Sequence, residues 1–175
     1  MDVNEDILRL YFELNGYMVH TNLKYRVKKP GGPGAEADID LAVYRRDPED
    51  RAIVEVKGWH TETITKGYLT HPEKKDYRGR IFNFIQKPAL DAATAFFGTD
   101  KFRRILVIPR LPMKAASRTA VEAELSARRV EPLTFTEVLQ TVIKATHPNL
   151  HYRDSECQQT IRLLRIYGFL KDLRT

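Results

Sequence analysis

The sequence predicts an α/β protein, a mixed β-sheet flanked by helices, and three features carry that expectation. Stretches with apolar residues at helical spacing alternate with runs rich in β-branched and aromatic residues. The polar "RRDPEDR" joins two such runs, residues 38 to 44 and Arg51 to Lys57, over a length that suits a hairpin turn at Asp47-Pro48. "FRRILVIP" is apolar enough to be buried on both faces, and a helical stretch leads into it, so it should lie parallel to its neighbour. The 175 residues fit one domain with a real core.

The elements follow in order. Val3, Ile7, Leu10, Tyr11 and Leu14 recur at helical spacing and Asn15-Gly16 supplies a stop, which predicts a helix over residues 3 to 14. "YMVHTNLKYRV" reads as a strand, and "KKPGGPGAEA" as an exposed connection to the strand over 38 to 44. After the hairpin and its second strand, residues 61 to 80 are polar without a period and read as a long loop. "IFNFIQKPALDAATAFFG" is a helix in which Pro88 marks a kink or a restart. "FRRILVIP" follows as a strand, then a helix over 114 to 128, a short strand in "RVEPLTF", a helix from Thr136 to Thr146 and a last one from Ser155 to Tyr167. Ile161, Leu163, Leu164 and Phe169 give that last stretch an apolar face suited to docking on the core or on a second subunit.

Charge and composition narrow the function. Lys and Arg number 29 against 23 Asp and Glu, a net +6 that favours an anionic partner such as nucleic acid. The single cysteine, Cys157, excludes an internal disulfide and a CxxC metal site, and fits a reducing compartment. The first residues are acidic where a signal peptide is basic, and no apolar run approaches the ~20 residues of a membrane span, so a cytoplasmic protein is expected. His20, His60, His71, His147 and His151 show no HxH or HExxH spacing, and no glycine-rich nucleotide motif occurs.

The charges that call for an explanation lie on the hairpin. In regular strands Ile39, Leu41 and Val43 face one way, while Asp38, Asp40 and Ala42 face the other. Val54 and Val56 likewise oppose Ile53, Glu55 and Lys57. With both apolar rows on one side of the sheet, Asp40 and Glu55 converge on the other. Carboxylates held together without an arginine suit a divalent cation, magnesium or manganese, with the Val56 carbonyl as a further ligand. Lys57, on the same side, is placed to orient a water for attack on phosphorus. The alternative is a half-exposed hairpin whose charged face meets water, with Lys57 pairing a carboxylate.

These residues and their neighbours resemble the PD-(D/E)xK nuclease superfamily, the restriction-endonuclease-like fold, over roughly residues 3 to 135. "ADIDLAV" supplies the aspartate, Asp40, and "IVEVKGW" supplies Glu55 and Lys57. The helix containing Glu5 matches the family's first helix, and Gln86 in "FIQKPALDAATAFFG" matches a glutamine that some members carry after the Glu-x-Lys strand. The family's proline before Asp40 is absent, and Asp38 shares its face. Holliday-junction resolvases and Mrr-type restriction domains are the most similar in pattern.

The resemblance implies an αβββαβ core over 1–135 with a helical C-terminal extension over 136–175, packed on the core or on a partner subunit, which leaves a homodimer open. It implies a magnesium- or manganese-dependent endonuclease acting on DNA. Asp40, Glu55 and Val56 would hold the metal, Lys57 would serve the attacking water, and Glu5 and Gln86 would support the site. The basic Lys66, Lys74, Lys75, Arg78 and Arg80, interleaved with aromatic residues, are the candidate nucleic-acid contacts. A nuclease-fold protein that binds nucleic acid or a protein without cleaving is the competing expectation.

Overall fold

In a computed structural model of the chain, which describes residues 3–27, 34–57, 63–70, 81–146 and 156–170, the apolar stripe near the start forms α1, Val3–Leu14. Ile7, Leu8, Leu10 and Phe12 turn inward, and Glu5 and Asp6 in the first turn suit the positive end of the helix dipole. Gly16, at φ +79°, ends the helix as Tyr17 N–H donates to the Phe12 carbonyl at 3.0 Å, the left-handed stop that Asn15-Gly16 foretold.

Three strands follow as an antiparallel meander: β1 (Met18–Val27), β2 (Ala35–Arg46) and β3 (Glu49–Val56). Arg46 pairs with Glu49 across the Asp47-Pro48 turn, so the hairpin stands where its polar link placed it. β4 (Arg103–Ile108) and β5 (Glu131–Thr134) add in parallel, and the sheet order is β1-β2-β3-β4-β5. The result is a mixed α/β fold with a five-stranded mixed sheet.

Two short helical segments precede and define the crossover. α2 (Lys66–Thr70) lies within the stretch expected to be loop, a correction with a physical reason. Its Leu69 and the preceding Ile64 are buried in a core shared with Val121 and Leu125, so tertiary burial overrides the polar composition. The rest of that stretch, with Lys74, Lys75, Arg78 and Arg80, lies outside the described residues. A single 3-10 turn, Asn83–Ile85, then packs against β3, and α3 (Lys87–Phe97) begins afresh with Pro88 in its first turn. Pro88 is thus a helix start, where its missing N–H costs nothing.

α3 and α4 (Ala115–Ala127) carry the chain from β3 to β4 and from β4 to β5. Successive right-handed crossovers moving the same way across a sheet put their helices on one face. Accordingly Ala89, Ala93, Val121 and Leu125 share a core with Ile53, Leu106 and Ile108. The opposite face is covered by α1, α5 (Phe135–Ala145) and α6 (Glu156–Ile166), over Leu41, Val43, Val54, Val56, Ile105 and Val107. β4 therefore alternates between two cores, as an apolar run buried on both sides must.

α5 opens with a capping box, Thr134 and Glu137 each bonding the other's backbone N–H. Arg165 of α6 donates to the carbonyls of Ile143 and Thr146 at 2.9 and 2.6 Å, holding the end of α5. Of the apolar residues read along the last helix, Ile161 is buried, whereas Leu163 and Phe169 are 53% and 78% exposed. No helix among the described residues is long and apolar enough to cross a membrane.

Candidate functional site

One expected row of side chains does not hold. Leu41 and Val43 pack in the α1-side core with Val54 and Val56, as expected, but Ile39 is fully buried in the α3-side core with Ile53. The alternation of β2 reverses between Ile39 and Leu41, and Asp40 occupies the reversal. β1 reverses at the same level: Val19 belongs to the α1-side core, whereas Leu23 and Tyr25 belong to the other.

The reversal places Asp40 in the gap where two strands part. The β2–β3 ladder runs from Arg46↔Glu49 to Leu41↔Val54 and stops. Beyond it, the next inward-facing donor of β3, the Val56 N–H, donates to Asp40 Oδ2 at 2.6 Å instead of to a backbone carbonyl. On its other edge β3 continues to pair, with Lys57 N–H donating to the Val107 carbonyl at 3.0 Å. Because a strand residue's N–H and C=O point to the same edge, the Val56 carbonyl faces Asp40 as well. A carboxylate thus replaces one rung of the sheet, and the carbonyl beside it is turned toward the same opening.

Glu55 and Lys57 follow Ile53 along the α3-side face of β3. Glu55 is only 7% exposed, so this part of the hairpin is not the water-washed face of the alternative reading, although Lys57 does pair with a carboxylate as that reading expected. Its carboxyl is raised to about 8, first by burial, with Asp40 and Asp38 adding to the rise and Lys57 opposing it. The Lys57 ammonium forms an ion pair with Glu55 Oε1. Asp40 thus acts on Glu55 as a like charge, and among the described residues Lys57 is the ion-pair partner of Glu55.

The structure adds a residue that sequence reasoning missed. Tyr25 of β1 is buried, and its hydroxyl is pushed up to about 12 by burial and then by Glu55, Asp38 and Asp40. Strict alternation from Val19 would have sent Tyr25 to the opposite face, so no local pattern marks it. Asp38 accepts from Lys24 of β1 at 3.2 Å, its side chain 40% exposed.

The other expected site residues are more scattered. Glu5 is half-buried in the first turn of α1, in the layer on the opposite face of the sheet from Glu55. Gln86 is exposed at the N-cap of α3, just past the turn packed on β3, and its side chain makes no capping bond. Lys66 opens α2 and lies 3.5 Å from Glu124, its side chain 59% exposed.

Among the described residues no three His, Cys, Asp or Glu side chains assemble as a metal cage. Two carboxylates and a neighbouring backbone carbonyl are donors of the kind magnesium takes, since it binds through one or two carboxylates and fills the rest of its shell with water. The donor set is all oxygen, so it does not suit zinc. No protein family matches the chain, and no curated protein or solved structure matches it. What the fold and the site define is a mixed α/β protein with a buried carboxylate–lysine pair and a strand-splitting aspartate at one end of the sheet.

Proposed function

We propose that this protein is a metal-dependent endonuclease of the restriction-endonuclease-like fold, hydrolysing DNA phosphodiester bonds. One observation carries the reading. Glu55 is buried, which raises its carboxyl, Lys57 opposing and Asp40 adding to the rise, next to the point where the β2–β3 ladder stops and Asp40 takes the Val56 N–H in place of a backbone carbonyl. Giving up a ladder bond and burying a carboxylate both cost stability, and strongly perturbed buried groups at such points are candidates for a functional site. The αβββαβ order of α1, β1, β2, β3, α3 and β4 supports the same assignment.

Asp40, Glu55 and the Val56 carbonyl would hold magnesium or manganese. When bound, the ion supplies positive charge where negative charge grows on the phosphate oxygens. The remaining steps belong to the chain itself. Asp40 is held in place by the Val56 N–H, so its free geometry is narrow before any substrate arrives. Lys57, on the same face as Glu55, orients the attacking water and steadies the charge it develops. Lys66 and the basic residues that follow it in sequence contact the phosphate backbone, whereas Glu5, on the other face of the sheet, and the exposed Gln86 take no part in the site.

The test is to incubate the full chain with a panel of branched, duplex and single-stranded DNA in manganese. Cleavage of at least one substrate, abolished by chelator, is expected. Binding without products on every substrate would replace the enzyme by a nuclease-fold binding protein.

A further inference from the structure

We infer that Asn22 is the positioning residue for Asp40: its left-handed backbone turns β1 and β2 over at one level of the sheet, and this brings the Asp40 carboxylate onto the Val56 amide. The catalytic consequence rests on the nuclease reading above, but the geometric relation does not.

Asn22 has φ +55°, inside a strand with no turn to make. Among the described residues the other non-glycine at positive φ is Arg129, whose conformation ends α4, with Arg129 N–H donating to the Ser126 carbonyl at 2.9 Å. That is the usual reason for a left-handed residue. Asn22 has no helix to end. The β1–β2 register is otherwise continuous from Met18↔Tyr44 to Val27↔Ala35, yet it steps from Thr21↔Leu41 to Leu23↔Ile39 over Asn22 and Asp40. Those two residues stand opposite each other, and both strands exchange faces at that level: Val19, Leu41 and Val43 on one side of it, Leu23, Tyr25 and Ile39 on the other.

A regular strand cannot make the observed contact. Its side chains stand perpendicular to the sheet, whereas backbone N–H groups lie in the sheet plane. For Asp40 Oδ2 to accept from Val56 N–H at 2.6 Å, β2 must leave its regular path at Asp40. Of the pair, Asn22 is the one at positive φ, and asparagine is one of the few side chains that tolerates it. The same reversal turns Tyr25 to the face that carries Ile39 and Ile53.

The test compares Asn22→Gly, which keeps left-handed φ accessible, with Asn22→Val, whose branched side chain opposes it. Amide hydrogen exchange at Val56, Val54 and Lys57 is read by NMR in metal-free full-length protein, alongside manganese-dependent cleavage of the DNA that the wild type cuts. Asn22→Gly should keep Val56 protection and cleavage within about threefold of wild type, whereas Asn22→Val should speed Val56 exchange and slow cleavage by about tenfold or more. Lys57, bonded to β4, should be unaffected in both. Wild-type protection at Val56 in Asn22→Val, or loss of it in Asn22→Gly, overturns the assignment. Should Asn22→Val not fold, Asn22→Asp against Asn22→Ala makes the same distinction, aspartate also tolerating the left-handed region. If the exchange pattern appears but the wild type cuts no DNA, the positioning role stands and the nuclease reading falls.

Discussion

β3 carries two largely buried carboxylates within six residues, and they are treated in opposite ways. Near its start, Asp50 accepts from the Tyr17 hydroxyl at 2.5 Å and from Arg103 at 2.8 Å. Burial alone would raise that carboxyl, but the hydroxyl and the guanidinium outweigh it and leave it below its ordinary value of 3.8. Near the strand's end, Glu55 has Lys57 as its ion-pair partner and Asp40 against it, and burial wins. One carboxylate is satisfied by its surroundings; the other is held in a place where its charge is unwelcome. The first arrangement serves stability. The second is the kind of cost that a protein retains at a functional site, and on the proposed nuclease reading a cation and a phosphate would complete the charge balance.

The contrast is sharpest in chemistry. Lys57→Ala should lower metal-dependent DNA cleavage by about 100-fold or more, with DNA binding largely kept, because the lysine acts on the developing charge and not on the bound duplex. Rates and equilibrium binding measured on one substrate decide this. Lost binding with proportionate residual cleavage would make Lys57 a phosphate contact and remove it from the reaction.

A smaller effect separates the carboxylates themselves. In chelator, Asp40→Asn and Glu55→Gln should melt at the same temperature as wild type or higher, since each removes one of two repelling charges. Manganese at a hundredfold excess over its Kd should stabilise wild type by about 2.7 kcal/mol and either variant much less. Melting curves with and without metal provide the check. If both variants melt lower in chelator and wild type gains nothing from metal, Asp40 and Glu55 are structural in the same sense as Asp50.

The mildest change lies at the other end of the strand. Asp50→Asn should cost about 1–2 kcal/mol, roughly 2–8 °C in Tm, with or without metal. The sign of its pH dependence follows from the lowered carboxyl. Folded protein keeps Asp50 charged at pH values where the unfolded chain has begun to take up the proton, so the stabilisation is present above about pH 4 and is lost as pH falls through the folded value. The variant should therefore lose part of the acid sensitivity of wild type, seen by denaturant unfolding between pH 5 and 3. An unchanged acid profile would mean that Tyr17 and Arg103 do not stabilise the charged form.

Much of this was legible locally. The stripe of Ile7 and Leu10, the stop at Asn15-Gly16, the hairpin link and the doubly buried "RILVI" each depend on spacing alone, and each formed where spacing placed it. α2 escaped notice because its polar residues hide one decisive contact, the burial of Leu69. Tyr25 and the true face of Ile39 escaped for a different reason: the rule of alternation assumes regular φ and ψ, and Asn22 breaks it.

By itself, then, the sequence determined the main helices and strands, α2 excepted, that two of the strands form a hairpin, and that Asp40, Glu55 and Lys57 are charges set among its apolar residues. These follow from interactions between residues a few positions apart, which composition and period record directly. Only the tertiary structure decided that Glu55 is buried, that Asp40 takes the Val56 amide in place of a ladder carbonyl, and that Tyr25 joins them. Burial and carboxylate repulsion depend on what other strands and helices bring to the same point. A single left-handed residue on β1 can move that point from one face of the sheet to the other without altering the pattern of letters.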